Sequence, residues 1–449
     1  MPQLVIGNVT SEYMFACPLT DFDRRGTHKQ HAVSTRTAWL LENGDAMLSH
    51  RPLTPDFLAY LTDRLGLDGG TLTLLAPDGP PEGTFLDART VLTDPLVNRL
   101  SQIVGPDWTL TPYLYDRTIA TLADRLGHAD APGAAFFAQG GSDFFNSKSF
   151  FRAWATGTGV PVARGQVCRS RTATAEAVLA LLNHTGSVIV KQDFSASGYG
   201  NVLFTTDPDV APIGASAKHV TGRRPARSDV EQALAAHFPV VEQTRDFPVG
   251  LRPGEAVVEV YHPHSRTLYS ELYVPEPPAG PELLDHGDMR MEPIWNGFAV
   301  PPVDLPAQAE RTMTEWSLTM ARTLQLLGYR GYLNCDSIVT PSGEVLFSEV
   351  NARIGGCTHV HAAARRLLGD DYQHRHTLLT RNDLPVADFA KLALAIDYEP
   401  RLRPDTDTGA VVLVDDSPCT GTVEYLVYGP DAHAAADTEE LLRRTAETL

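Results

Sequence analysis

Hydrophobic and polar positions along this chain alternate in a way that predicts a mixed α/β protein. Short apolar runs at 3–7 (QLVIG), 71–75 (TLTLL) and 136–140 (FFAQG) have the length of buried strands, and helical stretches such as 57–66 lie between them. Alternating strands and helices are typical of an α/β domain, which we place at residues 1–145. No G-x-G-x-x-G sequence follows the first strand, so a dinucleotide site is not predicted there.

Beyond residue 145, helix and strand patterns follow one another closely. After residue 385 the composition shifts again, and a hairpin through 415–418 followed by a terminal helix predicts a small last domain. The predicted fold class is therefore α/β (α+β), with domains at 1–145, 146–385 and 386–449. The main helices and strands predicted for the middle domain lie at 174–186, 187–194, 228–238, 256–262, 267–275 and 306–327.

The segment 331–353, GYLNCDSIVTPSGEVLFSEVNAR, predicts two antiparallel strands joined by a Pro-Ser-Gly turn. Folding this hairpin brings Asp336 close to opposite Glu349. Asn351 shares the face of Glu349, because alternate residues of a strand point the same way. These oxygen-bearing side chains predict a Mg²⁺ site, with Mn²⁺ as the alternative metal. A hairpin with solvated acids is the competing interpretation, disfavoured because Asn351 is flanked by apolar residues and followed by Arg353.

A phosphate site is predicted around two lysines, although the chain has no Walker A sequence. Lys191 ends an apolar strand, where a lysine is costly unless it is paired. The loop SASGYG at 195–200 follows it, and such small-residue loops expose backbone N–H groups to anions. Lys148, at the start of a helix, is a second candidate. Taken alone, the loop is more often a simple turn and Lys148 a surface lysine.

The amino-acid composition argues against some classes of binding partner. The chain has 37 Lys and Arg against 55 Asp and Glu, a net charge of −18, which argues against nucleic acid or an anionic membrane as partner. No apolar run approaches the roughly 20 residues of a membrane span, and no secretory leader is evident. Five scattered cysteines fit a reducing cytoplasm, where we expect the protein to reside.

Over roughly residues 144–385, the order of these elements resembles the ATP-grasp carboxylate–amine ligases. EVNARIGGCTH and KQDFSASGYGNV are similar to the peptide ligases of the pheganomycin type, which carry an N-terminal pre-ATP-grasp domain and a small C-terminal domain. The matching elements are Lys148, GVPV at 159–162, Lys191 with its loop, Glu259 in VVEVY, and Asp336, Glu349 and Asn351.

The resemblance implies that ATP lies between two lobes, with Mg²⁺ on the hairpin. Arg353 would meet the charge of an acyl phosphate, and Asn334 stands where D-alanine ligases have an arginine. No glutamate follows the predicted adenine hinge at 262–266 to hold the ribose. Apart from the resemblance, Arg290 is a candidate to reach the acid substrate. The residues implied for ATP are Lys148, Lys191, Ser195, Ser197, Gly198, Tyr199, Glu259, Val260 and Tyr261.

The leading functional hypothesis is an ATP-dependent ligase that joins a small carboxylic acid or amino-acid derivative to an amine or peptide. The resemblance also suggests a role in antibiotic biosynthesis. An ATP-grasp carboxylase or phosphotransferase is the alternative enzyme, and a non-catalytic nucleotide-binding module is the alternative without catalysis. The oligomeric state, including a homodimer, is left open by the sequence.

Two further patterns favour ordinary structural roles. Cys357-x-His359-x-His361 has the residue types of a soft-metal cluster, but a loop entering a helix is the favoured interpretation. Arg223, with two arginines after it, fits either a lid that meets phosphate or a solvated basic turn. Tyr13 and Trp295 are expected in the core rather than in recognition.

Overall fold

The structure is a computed structural model that describes residues 1–9, 11, 14, 24–79, 84–222, 224–237 and 255–449. Tyr13, Arg223 and the end of the helix predicted at 228–238 lie outside these residues. Within the described ranges, none of the helices combines the length and the apolar character needed to cross a bilayer.

The N-terminal domain is built on a four-stranded parallel sheet of order β3-β2-β1-β4. Parallel neighbours require crossover connections, and helices supply them here. The strands are β1 Gln3–Ile6, β2 Ala46–Leu48, β3 Thr73–Leu75 and β4 Thr109–Pro112. The helices are α1 Arg24–Ser34, α2 Pro55–Leu65, α3 Ala88–Val91, α4 Asp94–Ser101, α5 Arg117–Arg125, α6 Ala134–Ala138 and α7 Gly141–Phe145, with 3₁₀ helices at Thr35–Leu40 and Gly69–Thr71.

The prediction of a strand at 136–140 is wrong, because this segment belongs to α6 and the turn after it. Gly133 and Gly140 flank the helix with φ of 76° and 78°, a left-handed conformation that glycine adopts without strain. Phe137 stacks on Tyr115 with ring centroids 4.2 Å apart. A five-residue apolar run is too short for periodicity to separate a buried helix from a strand.

A smaller, five-stranded sheet of order β5-β9-β6-β7-β8 follows. Its antiparallel pairing places Lys191 opposite Asn201 on one neighbour and Val257 on the other. The elements are α8 Lys148–Thr158, β5 Gly165–Cys168, α9 Arg171–Thr185, β6 Ser187–Gln192, β7 Asn201–Thr205, β8 Ala217–Val220, α10 Arg227–His237 and β9 Ala256–Val260.

The remaining strands form an eight-stranded antiparallel sheet of order β14-β13-β10-β11-β12-β15-β17-β16. Its strands are β10 Arg266–Val274, β11 Glu282–Met291, β12 Trp295–Val300, β13 Gly331–Val339, β14 Val345–Asn351, β15 Thr377–Pro385, β16 Gly409–Asp416 and β17 Thr422–Gly429. Its helices are α11 Ala307–Leu327, α12 Thr358–Leu368, α13 Tyr372–Arg375, α14 Phe389–Tyr398 and α15 Ala432–Glu447.

The C-terminal hairpin of β16 and β17 extends this same sheet, because β17 pairs along β15. One apolar core holds Trp39 of the N-terminal domain, Tyr269 of β10 and Leu442 of α15 together. The predicted hairpin is therefore present, while the domain boundary at 385 stays a prediction.

Candidate functional site

A cavity of about 860 Å³ is lined by both larger sheets and by the N-terminal domain. Its walls come from β6, β9 and the loop after β6, from β13 and β14, and from β17. Every residue predicted for the site lines this cavity except Lys148 and Arg290. The structure thus brings the phosphate side and the metal side of the prediction to one space.

The hairpin of β13 and β14 has the predicted register. Asp336 lies directly opposite Glu349, and Asn334 lies opposite Asn351. The turn closes with a hydrogen bond from Gly343 N to Thr340 O of 2.8 Å. The carboxylates and the Asn351 amide therefore come together on one part of the hairpin.

The environment of the paired carboxyl groups of Asp336 and Glu349 shifts their pKa values in opposite directions. The pKa of Asp336 is raised well above its ordinary value, by burial first and by the charge of Glu349 second. Burial is the largest single influence on Glu349 and raises its pKa, but the charges of Lys148 and Lys191, together with hydrogen bonds to Lys148 and Asp336, outweigh it and hold the pKa at about 2. A cation between the two carboxyl groups would offset their repulsion.

The donor set fits magnesium. Asp336 and Glu349 offer carboxylate oxygens and Asn351 an amide oxygen, which are hard ligands, and Mg²⁺ commonly uses one or two carboxylates plus phosphate oxygens. Asn351 Nδ2 lies 3.3 Å from Asp336 Oδ2. Among the described residues, no group of three His, Cys, Asp or Glu side chains is placed to hold a metal by itself.

Lys148 lies behind the cavity wall and joins its two sides. Its Nζ is 2.8 Å from Glu349 Oε2 and donates to Ser195 O at 2.7 Å. One ammonium group therefore links the predicted metal face, which consists of Asp336, Glu349 and Asn351, to Ser195 in the loop after β6. The phosphate contact predicted for Lys148 stays a prediction, because this lysine does not line the cavity.

A residue that the sequence did not flag holds Lys148 in place. Asp193, two residues after Lys191, accepts hydrogen bonds from Ser149 N at 2.7 Å and Ser147 Oγ at 3.0 Å. These contacts fix the first turn of α8, where Lys148 stands. The signal in the sequence was an acid just after the strand lysine, but it does not reveal its partner.

Lys191 and Glu259 form a buried group with Arg152. Glu259 lies 2.7 Å from Lys191 Nζ and 2.6 Å from Arg152 Nη1, and it is only 5% exposed. The N–H groups of Val260 and Tyr261 donate to Arg164 O and Ser187 O, at 2.8 Å and 3.1 Å. The adenine contact predicted for this strand end therefore stays a prediction, and the observed role of the Glu259 carboxylate is to pair two cations.

The loop after β6, predicted to bind phosphate, makes a tight turn that requires glycine. Ser197 and Gly198 have φ of 57° and 85°, and a Cβ at Gly198 would lie 2.9 Å from Gly214 O. Only glycine fits this close approach. Ser195 Oγ is buried with no partner among the described residues, and Tyr199 is 58% exposed. The loop thus presents polar groups to the cavity at the predicted place.

Arg353 and Asn334 continue the polar row of the hairpin. Arg353 Nη2 donates to Asn351 Oδ1 at 2.7 Å, while its Nε is buried without an acceptor in the described part of the chain. Its guanidinium lies 5.8 Å from the ring centre of Tyr113. Asn334 Nδ2 lies 3.2 Å from Cys357 Sγ. Arg353 Nε is thus a donor that no described residue satisfies, on the same side chain that bonds Asn351.

The structure does not bring Arg290 to the cavity, which corrects the prediction that it reaches an acid substrate. Arg290 makes a bidentate pair with Glu439 of α15, at 2.5 Å and 2.9 Å, and also donates to Thr380 O. This geometry satisfies the guanidinium fork. Arg290 holds the last helix against the large sheet.

The sequence Cys357-x-His359-x-His361 begins α12 and is not a metal cluster among the residues described. His359 Nε2 lies 2.8 Å from Glu424 Oε1, and His361 Nδ1 lies 2.9 Å from the hydroxyl of Tyr372. The favoured interpretation, a loop entering a helix, matches this arrangement.

Glu271 is a buried acid that the sequence did not single out. It is fully buried on β10 and accepts hydrogen bonds from Cys357 Sγ at 2.8 Å and from Thr358 Oγ1. Burial raises its pKa from 4.5 to about 8. Because Thr358 also accepts from Gly355 N at 2.9 Å, this carboxyl group supports the glycine loop that follows Arg353.

We expect Glu271 to make the folded protein less stable as pH rises. The folded state binds a proton at Glu271 that the unfolded state releases above about pH 4.5, so its contribution is complete below that pH and is lost on approaching pH 8. The thermal unfolding midpoint should fall between pH 5.5 and pH 8.5, and by less in Glu271→Gln. Glu276→Gln, at a half-exposed pair on the surface, is the matched control. Equal pH slopes in wild type and Glu271→Gln would contradict the assignment.

Known proteins share parts of this sequence and this architecture. Residues 34–128 match the family model described as the pre ATP-grasp domain. Biotin carboxylase from Campylobacter jejuni superposes with a TM-score of 0.58 over 98% of this chain and 90% of that chain, at 12% identity. The chain has the ATP-grasp fold. The domain on β1–β4 is a pre-ATP-grasp domain, and that the small and large sheets form the two lobes of the ATP-grasp domain stays a prediction.

Two further solved structures share this ATP-grasp fold. The biotin carboxylase domain of 2-oxoglutarate carboxylase from Hydrogenobacter thermophilus has a TM-score of 0.58 at 11% identity, over 98% of this chain and 89% of that one. N5-carboxyaminoimidazole ribonucleotide synthetase from Thermus thermophilus has a TM-score of 0.54 at 13% identity, over 100% and 99%. At these identities the likeness establishes the fold alone. No curated protein matches the sequence.

Proposed function

We propose that this protein is an ATP-dependent ligase that activates a carboxylate as an acyl phosphate and joins it to the amino group of an amino acid or peptide. ADP and phosphate are the other products. The acid is a small carboxylic acid or amino-acid derivative. ATP with Mg²⁺, or Mn²⁺ in its place, is the cofactor set that the fold and the donor groups favour.

One observation carries the proposal: Lys148 links Glu349 to Ser195 O with contacts of 2.8 Å and 2.7 Å. A glutamate on the predicted metal face and the backbone of the loop predicted to bind phosphate are thereby kept at a fixed separation. Phosphoryl transfer depends on such positioning more than on covalent chemistry by the protein. A module that only binds a nucleotide has no need for this link.

The chemistry proceeds in two balanced steps. The carboxylate oxygen of the acid attacks the γ-phosphorus of ATP, the bond to the β–γ bridging oxygen breaks, and ADP leaves. The amine then attacks the carbonyl carbon of the acyl phosphate, phosphate leaves, and the nitrogen loses a proton. The attack of the amine produces a tetrahedral oxyanion before phosphate leaves, and cations close to this oxyanion lower the barrier.

The chain's own residues divide this work. Lys191 and the loop containing Ser197 and Gly198 hold phosphate oxygens. Arg353 offers its unpaired Nε–H to the oxyanion. Asp336, Glu349 and Asn351 would hold Mg²⁺, which when bound neutralises charge on the transferring phosphoryl group.

A carboxylase is the second candidate, favoured by the structural neighbours. The superposed domain from Hydrogenobacter thermophilus was solved with MgADP and bicarbonate. In that case bicarbonate would replace the carboxylic acid as the group that ATP activates. The same metal face and phosphate loop would serve this reaction.

The two enzymes differ in what ATP turnover requires. We expect ADP and phosphate release to need a carboxylic acid from a panel of amino acids, their acyl derivatives and short peptides. Mass spectrometry should then find an amide when an amine is added. The reactions are run in bicarbonate-free buffer, with bicarbonate restored in a parallel series.

Each outcome separates the candidates. An amide product formed without bicarbonate supports the ligase. Turnover that needs bicarbonate and yields a carboxylated amine supports the carboxylase. Phosphorylation of an acceptor without ligation supports a phosphotransferase, and ATP binding with no turnover supports a nucleotide-binding module.

A further inference from the structure

Arg36, on the 3₁₀ helix of the pre-ATP-grasp domain, is a buried cation at the cavity. It is 5% exposed and lines the same space as the metal face. Its Nε donates to Glu424 Oε2 at 2.8 Å. Its two Nη groups have no acceptor among the residues that the structure describes. A guanidinium has five donors in a planar fork, so most of its capacity is left for a bound group.

The surroundings of Arg36 hold it rigidly. Glu424 is also bonded to His359 Nε2 at 2.8 Å, and all three side chains are at least nine-tenths buried. A buried ion pair adds little net stability, since desolvation opposes its attraction. Arg36, His359 and Glu424 come from three separated parts of the chain. Their convergence orients a cation at a place where stability does not require one.

Trp295 supplies a second unfilled donor beside Arg36. The guanidinium carbon lies 5.3 Å from the centre of the indole ring, and Trp295 lines the same cavity. Its Nε1–H is buried with no acceptor in the described residues. A Cβ at Gly356 would lie 2.7 Å from the indole, so this loop, three residues after Arg353, packs on it.

The acids at this end of the cavity are already partnered. Asp416 accepts from Thr420 Oγ1 at 2.6 Å, and Asp383 accepts from Asn296 Nδ2 at 3.0 Å. Of the buried groups here without a partner in the described residues, Trp295 Nε1 is a donor and Asn382 Oδ1 is an acceptor, while the Nη groups of Arg36 are the charged donors. A planar anion with two oxygens matches a guanidinium fork, and Arg is the residue suited to carboxylates.

Arg36 and Arg353 serve different anions. Arg353 donates to Asn351 of the metal face, which ties it to the reacting carboxyl group. Arg36 contacts none of the residues predicted for metal or phosphate. An amino acid or peptide that attacks through its amine brings a second carboxylate, which does not react.

We propose that Arg36 and Trp295 bind the free carboxylate of the amine substrate, so that the acceptor is an amino acid or peptide with an unblocked C-terminus. This inference rests on the ligase function proposed above. It gives the pre-ATP-grasp domain a role in selecting the acceptor. Glu424 and His359 act as positioning residues for Arg36.

The test compares acceptors that differ only in this carboxylate. The probes are glycine, L-alanine, glycylglycine and L-alanyl-L-alanine, each beside its C-terminal carboxamide, with hydroxylamine as an amine that has no carboxylate. We expect wild-type kcat/KM to favour the free carboxylate by about 10–100-fold. In Arg36→Gln/Glu424→Gln, which removes both charges of the buried pair, this ratio should fall to about 1–3-fold.

The ratio of the kcat/KM values for two acceptors, measured on one variant, does not depend on how much of that variant is folded. Arg36→Lys, which keeps the charge but loses the fork, should give an intermediate ratio. If wild type forms hydroxamate but uses carboxylate and carboxamide acceptors with equal kcat/KM, the carboxylate site at Arg36 is wrong. The ligase function would still stand. Absence of both hydroxamate and ADP release in wild type would overturn the ligase function, and this inference with it.

Discussion

Replacing Glu349 by glutamine is expected to lower kcat for ATP turnover on the order of 10³-fold. The substitution keeps the shape of the side chain but removes the charge that faces Asp336 across the hairpin and Lys148 behind it. Both the metal face and its link to the phosphate loop would lose their central anion. The measurement is steady-state ADP release at saturating ATP and acid, with Mg²⁺ varied to obtain its apparent affinity.

Glu344→Gln is the matched control, because Glu344 is an exposed acid at the turn of the same hairpin. It should leave turnover within about twofold of wild type, as expected for a surface substitution. Equal turnover in Glu349→Gln and wild type would remove the metal face from the mechanism. A fall in both variants would point to the hairpin's stability instead.

Replacing Glu259 by leucine is expected to lower the free energy of unfolding by about 3–5 kcal/mol. The change leaves the ammonium of Lys191 and the guanidinium of Arg152 buried without their carboxylate, which lies 2.7 Å and 2.6 Å from them. Removing one partner of a buried ionic group lowers the free energy of unfolding by far more than the intact group contributes to it. Urea unfolding followed by circular dichroism measures the change.

Glu276→Leu provides the comparison on the surface. Glu276 is 48% exposed and pairs with Arg330, so its loss should cost about 0–1 kcal/mol. If the two variants unfold at the same urea concentration, the Arg152–Glu259–Lys191 group is not a buried ionic centre. ATP, which brings its own negative charge to Lys191, should restore more stability to Glu259→Leu than to Glu276→Leu.

The hairpin of β13 and β14 could be predicted because everything that determines it is local. The turn residues, the apolar alternation and the spacing of Asp336 and Glu349 all lie within 23 residues. Strand geometry then fixes which side chains share a face. The structure confirms that register directly.

Contacts between distant parts of the chain could not be predicted in this way. Arg36 meets Glu424 across 388 positions, and Glu271 meets Thr358 across 87. Nothing near Arg36 in the sequence distinguishes it from a surface arginine. Arg290 shows the converse, since it was a candidate to reach an acid substrate, while Glu439 of the last helix takes its guanidinium.

The order of the strands in the large sheet could not be predicted from the sequence either. Strands β11, β12 and β15 carry few continuous apolar runs, because their side chains face mixed surroundings. Their pairing depends on neighbours far along the chain, which periodicity does not encode.

The pairing of β17 with β15 has a consequence for how this protein can be divided. A chain cut after residue 385 would keep every predicted ATP-binding and metal residue, yet β15 would become a long open edge with a row of unpaired N–H and C=O groups. It would also lose Glu424, the anchor of Arg36, and Leu442 from the shared core. We therefore expect the large sheet and the C-terminal hairpin to unfold together rather than as separable modules.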